Sequence, residues 1–240
     1  EATMEPRPVL DRGYAHPELL AETDWLAGRL AEPMLRIVDA RHPDQYAAGH
    51  IPGAVNLNGF GGIPRAANGD MASPDVFASL AGDLGISNDT TVVVYDDPSQ
   101  TMGMVAWTFL YYGHLDMRIL DGGLAKWSRE NRPVSTEIPD YPHAVFVPKP
   151  QEAIYCSLDQ ARVAVGQPKT VFWDTRSLEE FQGTRAGFGP PIRMGRIPGG
   201  VHLEWSELFE EDAKTLKPAK ELHALLASHG IAPDYEIDTY

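Results

Sequence analysis

The stretch that decides the fold is "RIVDARHPDQYAAGHIPGAVNL", residues 36–57, because it returns as "VFWDTRSLEEFQG…MGRIPGGVHL", residues 171–203. Asp39 pairs with Asp174, Arg41 with Arg176 and Tyr46 with Phe181, and an Ile-Pro-Gly turn closes both versions. Further along, "DVFASLAGDLGISNDTTVVVYD" (75–96) aligns without a gap on "KELHALLASHGIAPDYEIDTY" (220–240), which puts Tyr95 and Tyr240 at the same place. The first copy then runs on through "DDPSQTMGMVAWTFLYYGHLDMRILDGGLAKW" to Trp127. The second copy stops at its strand and reads as an incomplete repeat of the first.

Within each copy, short apolar runs ("LRIVD", "TVVVY", "TVFWD") alternate with helical patterns ("PDVFASLAGDLG", "AKELHALLASHG"), and strands alternating with helices imply parallel sheets. "TVVVY" is apolar at four successive positions, as a strand covered on both faces requires. The expected fold class is therefore α/β: two three-layer α/β/α domains, each with a central parallel sheet, the second incomplete. "PDYPHAVFVPKP", residues 139–150, carries four prolines that remove backbone donors. It reads as a linker, giving domains 1–138 and 153–240 joined by residues 139–152. "EIDTY" places Asp238 in a strand otherwise expected to be apolar, so that strand is expected to be less buried than its counterpart.

Composition narrows the function classes. The net charge of −14 and pI near 4.9 disfavour generic binding to nucleic acid or an anionic membrane, and an anionic ligand would need a local basic pocket. No stretch approaches 18 uninterrupted apolar residues, and "EATMEPRPVL" lacks the pattern of a signal peptide. These features imply a soluble, cytoplasmic monomer, although a signal removed earlier would leave no trace and export stays compatible. The eight histidines lack metal-ligand spacing, so neither metal nor cofactor is expected. Cys156 is the lone cysteine. It precedes "SLDQ", a Ser-x-x-Gln capping box, and falls in the segment that leads into the second copy, well before the tip of its central strands. A structural thiol is the expected reading.

"DARHPDQYAAGHIPGAVNL", "DGGLAKW" and "DTRSLEEF…GRIPGGVHLEW" resemble the paired signature segments of tandem-domain rhodaneses, the thiosulfate and 3-mercaptopyruvate sulfurtransferases. The resemblance implies a catalytically degenerate N-terminal domain and a C-terminal domain with a nucleophilic cysteine directly after a central strand. That cysteine is expected immediately after Tyr240. It would take sulfur from a small anionic donor as a persulfide and pass it to cyanide or a thiol. In the first copy Asp96 stands at the equivalent position, with Asp97 next to it; two carboxylates would repel an anion, and they also suit a turn that caps a helix beginning near Met102.

The resemblance also marks residues of the second copy. Asp174 and Arg176 lie at a strand tip near the catalytic loop, where they would hold its geometry; because Asp39 and Arg41 repeat the pattern, a buried ion pair organising the fold is the competing reading. Between Phe181 and Gly195 stand 13 residues where the first copy has only Ala47 and Ala48. This insertion contains Arg185, Arg193 and no acidic residue. With Arg196, which replaces His50, these arginines are candidate anion binders, or simply the solvated charges of a surface loop. Arg193 resembles the arginine that sulfurtransferases place before their Gly-His-Ile-Pro-Gly turn. Glu180 departs from family members that carry an arginine there for mercaptopyruvate. Trp205 is a candidate pocket wall or core residue. Two other classes share this fold: a rhodanese-like binding or regulatory module without a cysteine, and a phosphatase or arsenate reductase with a longer catalytic loop.

Overall fold

The computed structural model describes residues 7–97, 101–187 and 194–240. It divides into two compact units, one reaching from the N-terminus to Tyr155 and including Glu211–Leu216, the other formed by Cys156–Glu210 and Lys217–Tyr240.

The first unit is built on five parallel strands, β1 (Leu20–Ala21), β2 (Leu35–Asp39), β3 (Ala54–Asn56), β4 (Thr91–Tyr95) and β5 (Met117–Leu120), in the order β1-β5-β4-β2-β3. The helices α1 (Thr23–Ala27), α2 (Pro43–Ala48), α3 (Pro74–Asp83), α4 (Thr101–Tyr111) and α5 (Gly123–Arg129) connect them. Parallel strands need such crossovers, and both sheet faces are then covered. Side chains alternate faces along a strand. Ile37, Val93 and Tyr95 accordingly join one core with Leu26, Ile51 and Trp127. Val92 and Val94, of opposite parity, are equally buried. A second apolar layer stacks Phe77 of α3 on Tyr112 at 3.9 Å and sets Phe109 and Phe146 edge-on to it.

Residues 139–150 form neither helix nor strand, as their prolines dictate, yet they pack as a strap. Ala144 N donates to Gly82 O at 3.0 Å, Val147 N to Asn88 Oδ1 at 2.8 Å and Lys149 N to Tyr112 O at 2.8 Å. The strap accounts for Gly82: a Cβ at that position would lie 2.5 Å from Ala144 O. Its counterpart in the second copy is Ala227, which is exposed.

A further segment, Glu211–Leu216, is held by backbone recognition. Leu216 N donates to Asp121 Oδ1 at 2.9 Å, and Leu216 O accepts from Arg12 Nη1 at 3.1 Å and Tyr14 OH at 2.9 Å. Arg12 and Asp121 pair at 2.7 Å in the interior.

The second unit contains three parallel strands, β6 (Thr170–Asp174), β7 (Val201–His202) and β8 (Glu236–Thr239), in the order β7-β6-β8, with α6 (Leu158–Ala164), α7 (Leu178–Gln182) and α8 (Ala219–Ser228). Matched by sequence, this is the same order as β3-β2-β4. Its core is smaller, centred on Val171, Leu203 and Ile231 with Leu225 and Leu226 against them. β8 is largely exposed, against a fully buried run of four residues in β4.

Candidate active site

Ligands of open α/β sheets bind beyond the carboxyl ends of the strands, and there the two units carry the same network. In the first, Arg41 donates through Nε to Asp39 Oδ1 at 2.9 Å and through Nη2 to Oδ2 at 2.5 Å, and the Arg41 backbone N reaches Oδ1 at 3.0 Å. Arg41 Nη2 also holds Gly49 O at 2.7 Å. Tyr95 OH donates to Asp39 Oδ2 at 2.7 Å and accepts from Ile51 N at 3.0 Å. One phenol thus ties the tip of β4 to the Asp-x-Arg corner and to the Ile-Pro-Gly turn.

The second unit repeats each bond. Arg176 donates through Nε to Asp174 Oδ1 at 2.9 Å, through Nη2 to Oδ2 at 2.6 Å, and to Gly195 O at 2.8 Å. Ile197 N donates to Tyr240 OH at 3.0 Å, and Tyr240 OH also bonds Asp174. Thr175 N reaches Tyr240 O at 3.0 Å, as Ala40 N reaches Tyr95 O at 2.8 Å. Burial alone would raise the Asp174 pKa, but the bonds from Arg176 and Tyr240 outweigh it and hold the carboxyl below its usual value. Burial and the neighbouring carboxylate push the Tyr240 phenol up, so it stays protonated. Both aspartates are fully buried, whereas the Arg176 side chain is 25% exposed against 7% for Arg41.

In the first unit the chain continues past its tyrosine to Asp96, which is fully buried and accepts from Thr101 Oγ1 at 2.8 Å and Met102 N at 3.0 Å. Asp96 caps the start of α4, where backbone N–H groups favour negative charge.

The remaining sequence candidates are dispersed. Arg185 is exposed and donates to Ser177 Oγ at 2.6 Å, with Glu180 Oε2 3.5 Å away. Arg196, also exposed, lies over the Phe181 ring at 4.4 Å and donates to Phe181 O at 3.3 Å. Arg193 lies outside the described residues. Trp205 is half-buried against Phe209, and its N donates to Thr175 O at 3.0 Å, which sets it beside the Asp174–Arg176 corner. Asp174, Arg176 and Trp205 are therefore brought together at one strand tip, with Arg185 one residue away on Ser177 and Arg196 turned onto α7. Cys156 stands elsewhere: burial first, then Asp238 and Glu236, push its thiol up to about 11. Among the described residues no group of His, Cys, Asp or Glu is arranged to hold a metal, and no helix is long and apolar enough to cross a membrane.

The rhodanese-like domain family matches residues 22–130. The sulfur carrier protein TtuD of Thermus thermophilus is 38% identical over 239 residues, covering 95% of this chain and 84% of its own length. The chain belongs to the rhodanese family of sulfurtransferases. The thiosulfate sulfurtransferase of Corynebacterium glutamicum is 33% identical, with 86% of this chain and 71% of that protein covered. The crystal structure of SseA from Escherichia coli, a 3-mercaptopyruvate sulfotransferase, superposes with a TM-score of 0.80 at 25% identity, covering 92% of this chain and 87% of that one.

Within this rhodanese, sequence reasoning missed the tyrosines. Tyr95 and Tyr240 end matched strands, and a polar-tipped residue repeated at the carboxyl end of a buried strand is a signal that could have found them. Ser177 and His202 were also overlooked as neighbours of the corner; His202 Nε2 lies 2.9 Å from Arg176 O.

Proposed function

We propose that this sulfurtransferase moves the outer sulfur of thiosulfate, or the single sulfur of 3-mercaptopyruvate, to cyanide or a thiol through a persulfide on a cysteine directly after Tyr240 in the second unit. One observation carries this reading: Tyr240 makes the bonds of Tyr95, and the residue after Tyr95 is buried at the start of a helix where anionic charge is favoured. A cysteine at that place would be stabilised as the thiolate, the attacking species.

The steps balance without an external oxidant. The thiolate attacks the sulfane sulfur of thiosulfate, a new S–S bond forms, and the old one breaks with its electron pair leaving on sulfite. With 3-mercaptopyruvate the new S–S bond forms as the C–S bond breaks, its electron pair leaving on the enolate of pyruvate, which then takes up a proton. The nucleophilic carbon of cyanide then attacks the outer sulfur of the persulfide, thiocyanate departs and the thiolate returns. A thiol acceptor would leave instead as its own persulfide.

In this scheme Asp174 and Arg176 are positioning residues. Arg176 grips Asp174 and Gly195 O, and Asp174 also takes the Tyr240 phenol, so the pair holds the corner. The first unit, with Asp96 and Asp97 at the corresponding tip, serves as the degenerate partner. Arg193 and Arg196 supply positive charge to the donor, and Trp205 lines the approach beside Thr175. The test is cyanide-dependent thiocyanate formation with each donor, before and after thiol alkylation, using protein that includes the residues after Tyr240. Turnover abolished by alkylation and ping-pong kinetics are expected. Absence of turnover with both donors would overturn the reading.

A further inference from the structure

Glu180 and Arg185 form a charge lock that the first unit lacks. Ser177, next to the Asp174–Arg176 corner, caps α7 with a capping box: Glu180 N donates to Ser177 Oγ at 3.4 Å, and Glu180 Oε2 accepts from Ser177 N at 3.2 Å and from Ser177 Oγ at 2.6 Å. Arg185 Nη2 donates to the same Ser177 oxygen at 2.6 Å and stands 3.5 Å from Glu180 Oε2. Gly187 lies close over the carboxylate, since a Cβ there would lie 3.0 Å from Glu180 Oε1, and the Glu180 side chain is only 13% exposed while that of Arg185 is 59% exposed. In the first unit the equivalent box is His42 with Gln45, where His42 N donates to Gln45 Oε1 at 3.3 Å. It is neutral at the third position and has no insertion to bring an arginine.

We propose that Glu180 sets the affinity for anionic sulfur donors: by engaging Arg185 it withholds that cation from them and raises their KM. The proposal rests on the sulfurtransferase reading above. An incoming anion gains Arg185 only by displacing Glu180, and while the lock is closed the pair presents no net positive charge. The carboxylate, more buried than its partner, stays in place. The guanidinium, mostly in solvent, is the half that can swing to a ligand. Donors that carry no charge are indifferent to the lock.

Glu180→Gln isolates the charge, because glutamine completes the same box elsewhere in the chain: Ser157 N donates to Gln160 Oε1 at 2.8 Å. In that variant the KM for thiosulfate and for 3-mercaptopyruvate should fall about fivefold, the scale of one exposed ion pair, with kcat unchanged. Arg185→Ala should raise both KM values, and in the double variant the benefit of removing Glu180 should vanish. An unchanged KM in Glu180→Gln, or a lower kcat at constant KM, would overturn the proposal and leave Glu180 as a cap alone. Titration calorimetry with thiosulfate reads the lock without turnover. If the unsubstituted protein transfers no sulfur but Glu180→Gln binds thiosulfate about fivefold tighter, the lock stands and the sulfurtransferase reading falls. Equal affinities would remove the lock whatever the activity.

Discussion

The tip of β4 and the tip of β8 carry one network in two settings. Asp39, Arg41, Tyr95 and Ile51 in the first unit match Asp174, Arg176, Tyr240 and Ile197 in the second, bond for bond. The copy whose strand leads to Asp96 keeps the network as tightly as the other, so the network is architecture: it fixes where the strand ends and where the next residue points. What distinguishes the units lies around it. The first is sealed, with a carboxylate capping α4. The second has an insertion that brings Arg185 to the corner.

The largest effects should come from breaking the network itself. Asp39→Ala strands the buried Arg41 guanidinium and should cost about 3–5 kcal/mol, read from denaturant unfolding. Asp174→Ala removes the same partner from Arg176 and should abolish sulfur transfer by loosening the strand tip. Unchanged turnover in Asp174→Ala would mean that the corner does not position the catalytic residue.

Next in size is the strap across the first unit. Gly82→Ala pushes a methyl against Ala144 O and should destabilise by about 1–3 kcal/mol. The mirror change Ala227→Gly, on an exposed helical position, should cost at most about 1 kcal/mol through backbone entropy. Thermal unfolding of the pair would show whether the strap is the cause.

Asp96→Ala removes a helix cap and should cost about 1–2 kcal/mol without altering the rate of sulfur transfer. A fall in that rate would give the first unit a part in the chemistry.

The smallest effect is expected at Cys156. Its thiol, raised to about 11 by burial and by Asp238 and Glu236, remains protonated at neutral pH, and the thiolate appears only as the pH climbs toward that value. Alkylation of Cys156 by iodoacetamide, monitored by peptide mass spectrometry, should therefore be slow at pH 7 and accelerate toward pH 11. Cys156→Ser should leave sulfur transfer unchanged.

The strands β2, β4, β6 and β8, their parallel sense and the Asp-x-Arg corners were legible because a repeated pattern reports a repeated solution to the same packing problem. β4 announced itself through an unbroken apolar run; in β8 Asp238 did signal a strand less buried than β4, although Asp238 is its one half-buried residue and the other three are exposed. The strap was legible only as a linker: four prolines deny regular structure, but nothing local says that Phe146 will be buried against Phe77. Likewise the backbone recognition of Leu216 by Asp121, Arg12 and Tyr14 joins residues about 100 and 200 positions apart, beyond the reach of any periodicity. At the site, the insertion's positive charge was plain, yet the pairing of Arg185 with Ser177 and Glu180 depended on how the chain turns after α7.

The most direct test of the central claim is to locate the transferred sulfur. Protein carrying the residues after Tyr240 would be treated with thiosulfate, digested and analysed by mass spectrometry. The account predicts one added sulfur atom on the cysteine directly after Tyr240, released by cyanide, with Cys156 and the first unit unmodified. Sulfur on Cys156, or no protein-bound sulfur while thiocyanate accumulates, would contradict it.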